Sequence, residues 1–202
     1  MGPSFPRLHV VTGDRPIETV RAVVGLTSIA VQVRVDDAVT DRDAYALTCA
    51  ILELCRPAGV LCLVNDRLDV AVAAGAGGAH VGADDLPPAA ARAVLGPSAV
   101  LGVTCRTPGA VPPEADYLGV GPAYRTSTKD GLPDPLGPPG VGAVAAAAGV
   151  PVIAIGGVTA ARVPELRRAG AYGVAVVGAV SRAADPGRAA AELLAALSDG
   201  TP

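Results

Sequence analysis

Aromatic side chains are scarce in this chain: its 202 residues include one Phe, four Tyr and no Trp. Ala, Val and Leu must therefore fill any core, which suits parallel strands packed closely under helices. The same scarcity removes a stacking platform for bases. A net charge of −3 and a pI near 5.3 supply no basic footprint, so a general nucleic-acid partner is excluded.

Histidine is scarcer still, with only His9 and His80. No Ser/His/Asp or Cys/His arrangement can be built around them. Both fall inside predicted strands, where a core or rim placement is the plainer reading than a general base. Chemistry without an evident base points to a reaction driven by stabilising a leaving group. The four cysteines, Cys49, Cys55, Cys62 and Cys105, share no CxxC or Cys/His spacing. They read as buried reduced thiols of a cytoplasmic protein rather than a disulfide or zinc framework. The first residues lack the basic start and apolar run of a secretory signal.

Charged residues make up only 17% of the chain, and Leu136 to Ala161 carries none. That length could span a bilayer. Pro138, Pro139, Pro151 and the glycines around them break the run into a buried helix and then a buried strand, so no membrane partner is expected.

What the chain does contain is a repeating order of elements. Short β-branched runs recur at 8–12, 29–35, 60–64, 78–82, 99–104, 116–120, 151–155 and 172–177. Helical patterns lie between them at Pro16–Val24, Asp41–Arg56, Asp66–Ala74, Pro87–Leu95, Pro138–Ala148, Thr159–Ala169 and Pro186–Leu197. Apolar strands alternating with helices predict a parallel sheet, and eight such units predict a closed (β/α)8 TIM barrel. The reading is one domain over 1–202, with the barrel core at about 8–198. The segment TPGAVPPEA leaves room only for a shortened fifth helix.

Barrel active sites form at the C-terminal ends of the strands. Gln32 and Arg34, Asn65 and Asp66, Asp84 and Asp85, Thr104 and Arg106, Gly156 and Gly157, and Gly178 all occupy such positions. The irregular stretch from Gly119 to Gly137 adds Thr126, Thr128 and Lys129. Loops longer than about 12 to 15 residues are commonly functional. Glycines after the seventh and eighth strands let an anion approach backbone N–H groups. Hydroxyls and an ammonium are the further donors that a phosphate or diphosphate needs. Asp66 and Asp85, each just past a strand, could hold a hard cation such as Mg²⁺, which takes one or two carboxylates plus phosphate oxygens and water. Each could instead cap the following helix, and Asp84 competes with Asp85 as the ligand.

Taken in order, VVTGDR, VQVR, VNDRLDVA, HVGADDLP, ARAVLGPSAVLGVT, YLGVGPAYRTSTK, PVIAIGGVT and AGAYGVAVVGAVSRAADP resemble the motifs of thiamine phosphate synthase and its sister, the thiazole tautomerase, over roughly Leu8 to Pro186. The resemblance implies a (β/α)8 barrel that joins hydroxymethylpyrimidine diphosphate to thiazole phosphate, releasing diphosphate through a pyrimidine-stabilised cation. It implies Asp66 and Asp85 as Mg²⁺ ligands and Arg34, Asn65, Thr104 and Lys129 as diphosphate contacts, with Arg34, Thr104 and Lys129 catalytic. Gln32 is implied as the pyrimidine contact. Thr126 and Thr128, with the backbone at Gly157, Val177 and Gly178, form the implied thiazole-phosphate cradle.

The chain departs from those motifs at several places. In VQVRVDD an acid, Asp36, stands where the resemblance expects a diphosphate-binding lysine. Ala83 replaces a glutamine, and Arg106 falls in the segment where histidine is typical, from which it could take over the lost cationic contact. Two alternatives stand beside the synthase: a thiazole tautomerase, against which Arg106 in place of that histidine counts, and an impaired homologue, motivated by Asp36, that binds thiazole phosphate or thiamine phosphate without turnover. A homo-oligomer is compatible with the sequence.

Overall fold

The computed structural model describes residues 5–126, 131 and 133–198. Eight strands close into one parallel barrel in chain order, each bonded to its sequence neighbours and the last to the first. They are β1 Leu8–Val11, β2 Ile29–Val33, β3 Leu61–Asn65, β4 Gly78–Val81, β5 Val100–Thr104, β6 Tyr117–Val120, β7 Val152–Ile155 and β8 Gly173–Val176. The barrel expected from the sequence is borne out.

Helices cover its outer face: α1 Pro16–Val23, α2 Asp41–Cys55, α3 Leu68–Ala74, α4 Pro88–Leu95, α5 Gly137–Ala147, α6 Val163–Arg168, α7 Gly178–Ser181 and α8 Pro186–Ser198. Their starts follow local chemistry. Proline opens α1, where its missing N–H removes no bond. Thr40 caps α2, accepting from Asp43 N at 3.2 Å while its own hydroxyl donates to the Asp43 carboxylate at 2.8 Å. Between β5 and β6 only a 3-10 turn forms, Pro108–Ala110, which is the stub the prolines predicted. The uncharged run divides into α5 and β7. Among the described residues no helix is long and apolar enough to cross a membrane.

Alternation along the strands builds two cores. Leu8, Val10, Leu101, Leu118 and Val174 pack outward under the helices. Val11, Leu63, Tyr117, Ile153 and Ala175 point inward and pack across the barrel axis. Burying each large aliphatic side chain contributes about 1.5–3 kcal/mol. The inward register also carries the polar residues of the strands, so one parity rule separates the hydrophobic jacket from the site.

Candidate active site

A cavity of about 400 Å³ opens at the C-terminal mouth of the barrel, within the range of small-molecule sites. Its floor is made by Gln32, His80, Thr104 and Tyr117, with Val11 and Ile153 as apolar neighbours. Its rim includes Arg34, Asn65, Asp66, Asp84 and Arg106 on one side, and Thr126, Gly157, Val177 and Gly178 on the other. Thr128 and Lys129 lie outside the described residues.

The floor is a chain of hydrogen bonds. Gln32 Nε2 lies 3.1 Å from His9 Nδ1 and donates to the Tyr117 hydroxyl at 2.9 Å. That hydroxyl is 3.0 Å from His80 Nδ1, and His80 Nε2 is 3.0 Å from Thr104 Oγ1. Two strand glycines make room for the rings. A Cβ on Gly102 would lie 2.1 Å from Tyr117 Cζ, and one on Gly119 would lie 2.6 Å from His80 Cε1. Burial, reinforced by His80, holds His9 down at about 3. Burial likewise lowers His80 to about 4, with Asp85 acting the other way. Both rings are neutral near pH 7. Burial also pushes the Tyr117 hydroxyl up, so it stays protonated.

Arg34 is positioned through its backbone: its N–H donates to Thr12 Oγ1 at 2.8 Å, and Thr12 Oγ1 donates to its carbonyl at 3.0 Å. Asp66 takes a left-handed backbone with φ 66°, a conformation uncommon outside glycine but tolerated by Asp and Asn. Its N–H donates to the His80 carbonyl at 2.8 Å, which ties β3 to β4 at the mouth. The next residue, Arg67, clamps the β2–α2 loop. It donates to the Val39 carbonyl at 2.6 Å and pairs with Asp41 at 2.9 Å.

Helix α3 has Arg67 at its N-cap and α4 has Pro87, with no side-chain cap bond at either, so neither Asp66 nor Asp85 occupies the capping position. Asp66 and Asp84 line the cavity. Asp85 turns back on its own loop, where its Oδ2 accepts from Gly82 N at 2.6 Å. Among the described residues no group of three or more His, Cys, Asp or Glu converges on a metal position. Two carboxylates on one cavity rim are a donor set that Mg²⁺ accepts, its remaining positions being filled by other oxygens such as phosphate and water.

The opposite rim suits an anion. Gly157 has φ 63°, and a Cβ there would meet the Arg125 carbonyl at 2.5 Å. Arg162 donates to the Gly157 carbonyl at 2.5 Å and lies 4.3 Å over the Tyr124 ring, whose hydroxyl donates to Glu165. These three side chains join the β6 loop to the β7 loop. Gly178 opens the short helix α7, and the nearest atoms that a Cβ there would meet belong to Arg182, from 3.6 Å, an ordinary contact. Arg106 braces the β6 loop by donating to the carbonyls of Gly121 and, at 2.9 Å, Asp134.

Sequence reading passed over His80 as the partner of Thr104 and Tyr117 as the link between Gln32 and His80, and Arg67, Arg162, Tyr124 and Glu165 as braces. The inward parity of His80 and Tyr117 was the available signal. For the braces there was none, because loop carbonyls are their partners.

Fold and cavity define the class: a closed (β/α)8 barrel with a ligand-sized polar cavity at the C-terminal mouth of its strands. More narrowly, the chain belongs to the thiamine monophosphate synthase family, whose profile matches residues 7–180. It is 57% identical to the thiamine-phosphate synthase of Salinispora arenicola over 96% of this chain and 99% of that one. It is 41% identical to the Chlorobium limicola thiamine-phosphate synthase over 98% and 96%. The solved structure of thiamine phosphate pyrophosphorylase from Pyrococcus furiosus superposes with a TM-score of 0.85 at 28% identity, covering 97% of each chain. The resemblance read from the motifs is borne out.

Proposed function

We propose that this barrel is a cytoplasmic, Mg²⁺-dependent transferase that joins hydroxymethylpyrimidine diphosphate to thiazole phosphate, giving thiamine phosphate and diphosphate. The observation that carries the reading is the convergence of Gln32, Arg34, Asp66 and Thr104 with the Thr126–Gly157–Gly178 rim on one cavity. That arrangement sets the polar groups of β2, β3 and β5 and the glycine-bearing ends of β7 and β8 around one cavity, which supports a reading with two anionic substrates.

In this reading Gln32 orients the pyrimidine, while Arg34, Asn65, Thr104 and Lys129 bind the diphosphate. Stabilising the departing oxygens with preorganised donors lowers the barrier to breaking the pyrimidine C–O bond, and no strong base is required. Asp66, with Asp84 or Asp85, would hold Mg²⁺, which supplies charge neutralisation on the diphosphate oxygens when bound. Thr126, Thr128 and the backbone at Gly157, Val177 and Gly178 hold the thiazole phosphate so that its ring nitrogen faces the carbon left by the diphosphate.

The impaired-homologue reading rests on Asp36. That residue is exposed and is not among the residues lining the cavity, while its carbonyl accepts from Arg67 at 3.4 Å. The test is to incubate the purified protein with both substrates and Mg²⁺ and follow thiamine phosphate and released diphosphate together. Equal amounts of the two products support the synthase. Thiazole phosphate binding without product would overturn it.

A further inference from the structure

The floor contacts have a direction. An amide nitrogen can only donate, so Gln32 Nε2 donates to both His9 Nδ1 and the Tyr117 oxygen. Because Nδ1 accepts, the His9 proton sits on Nε2, which has no hydrogen-bond partner among the described residues. With its oxygen already accepting from Gln32, the Tyr117 hydroxyl has its own proton to give, and His80 Nδ1 lies 3.0 Å away to take it. A neutral imidazole that accepts at Nδ1 carries its proton on Nε2, which faces Thr104 Oγ1 at 3.0 Å. Thr104 then accepts from His80, and its hydroxyl hydrogen is left to point into the cavity.

We propose that Gln32, Tyr117 and His80 form a one-way hydrogen-bond chain that holds Thr104 as a donor toward the cavity, making Tyr117 and His80 positioning residues for the anionic group that Thr104 meets. The inference rests on the synthase reading for the identity of that anion, the diphosphate. A threonine hydroxyl left to itself donates and accepts with equal ease. The chain removes that choice before substrate arrives, so no reorganisation is needed as charge develops on the leaving oxygens. Each bond also polarises the next. The site has room for these rings: the atoms nearest to a Cβ on Gly102 and on Gly119 would be those of Tyr117 and His80.

Two measurements test the proposal. Because the chain has only two histidines, nitrogen-15 labelling of histidine gives a spectrum in which the His80 tautomer is read directly. The expected form carries its proton on Nε2. A proton on Nδ1 would reverse the chain and overturn the proposal whatever the enzyme does. The second measurement is binding of inorganic diphosphate with Mg²⁺ to the wild type, Thr104→Val, Tyr117→Phe and the double variant, each checked for an unchanged melting temperature. Each single change weakens binding about 5- to 30-fold, the size of one or two hydrogen bonds, and the double variant is no weaker than Thr104→Val. Thiazole phosphate affinity stays constant, and Thr104→Ser keeps wild-type diphosphate affinity. Independent, multiplying losses would show that Tyr117 does not act through Thr104. A wild type that forms no thiamine phosphate while this pattern holds would sink the synthase reading and leave the chain standing. An active wild type with the reversed tautomer does the opposite.

Discussion

Gly102 and Tyr117 face each other across the β5–β6 register, and a Cβ on Gly102 would stand 2.1 Å from Tyr117 Cζ. The ring is fully buried and hydrogen-bonded at its tip, so it cannot swing aside without breaking contacts to Gln32 and His80. Overpacking of this kind typically costs about 1–3 kcal/mol. Gly102→Ala is therefore expected to lower unfolding free energy by about that amount in denaturant melts. It should also reduce diphosphate binding, because the displaced ring carries the floor contacts with it. A variant as stable as the wild type would show that the ring has somewhere else to go.

Much of this was legible in the sequence because barrels repeat one rule. Strand, turn and helix signals recur, and inward parity puts Gln32, His80, Thr104 and Tyr117 inside without any knowledge of the register. Thr40 before Asp41 and Pro16 at the start of α1 are local signals, and the prolines after Thr104 left room only for a stub between β5 and β6. Partner choice was not legible. Parity puts His80 and Tyr117 in the same interior, but which ring meets which depends on strand stagger. The side chains of Asp84 and Asp85 depend on a loop whose shape follows from Asp85 accepting the Gly82 N–H. Arg67 sat unnoticed beside Asp66 because its partners are carbonyls and a carboxylate 26 to 31 residues away.

His9 predicts how stability depends on pH. Its folded value is about 3 against an ordinary 6.5, because burial disfavours the charged ring. Between those values the unfolded chain binds the extra proton and the folded chain does not. Stability is therefore complete above about pH 6.5 and is lost as pH falls toward 3, with a slope of at most about 1.4 kcal/mol per pH unit. His80, held at about 4, adds a slope of the same sign. Urea melts from pH 7 to pH 4 should show a steady fall, and His9→Gln should flatten part of it whatever its stability at pH 7. An unchanged slope in that variant would place the acid sensitivity elsewhere.

Asp36→Lys tests whether the lost cation matters. The wild-type side chain is exposed and outside the cavity lining, and Arg67 holds the backbone of its loop through the carbonyls of Asp36, Asp37 and Val39. A lysine there is expected to change kcat/KM for the diphosphate substrate by less than about twofold, since an exposed charge is screened beyond about 10 Å at ordinary salt. A rise of tenfold or more would mean that the loop folds over the bound diphosphate and that position 36 reaches it.

The two adjacent aspartates after β4 are separable by experiment because their side chains have different surroundings. Asp84 lines the cavity, whereas Asp85 accepts the Gly82 N–H at 2.6 Å and acts on His80. Replacing a carboxylate that binds Mg²⁺ with the amide of the same shape should raise the Mg²⁺ concentration needed for half-maximal diphosphate binding, and excess Mg²⁺ should restore most of it. Replacing one that only braces a loop should lower stability by about 1–3 kcal/mol, the cost of losing a charge-assisted bond to a backbone N–H, with the Mg²⁺ requirement unmoved. Asp66→Asn is expected to behave in the first way. Asp84→Asn follows it if the cavity-lining acid is the second ligand, and Asp85→Asn then loses stability alone. The reverse pattern, with Asp85→Asn shifting the Mg²⁺ titration, would require its carboxylate to hold Mg²⁺ and the Gly82 N–H at once through its two oxygens. Titrations of the three variants, each paired with a urea melt, decide between the two arrangements.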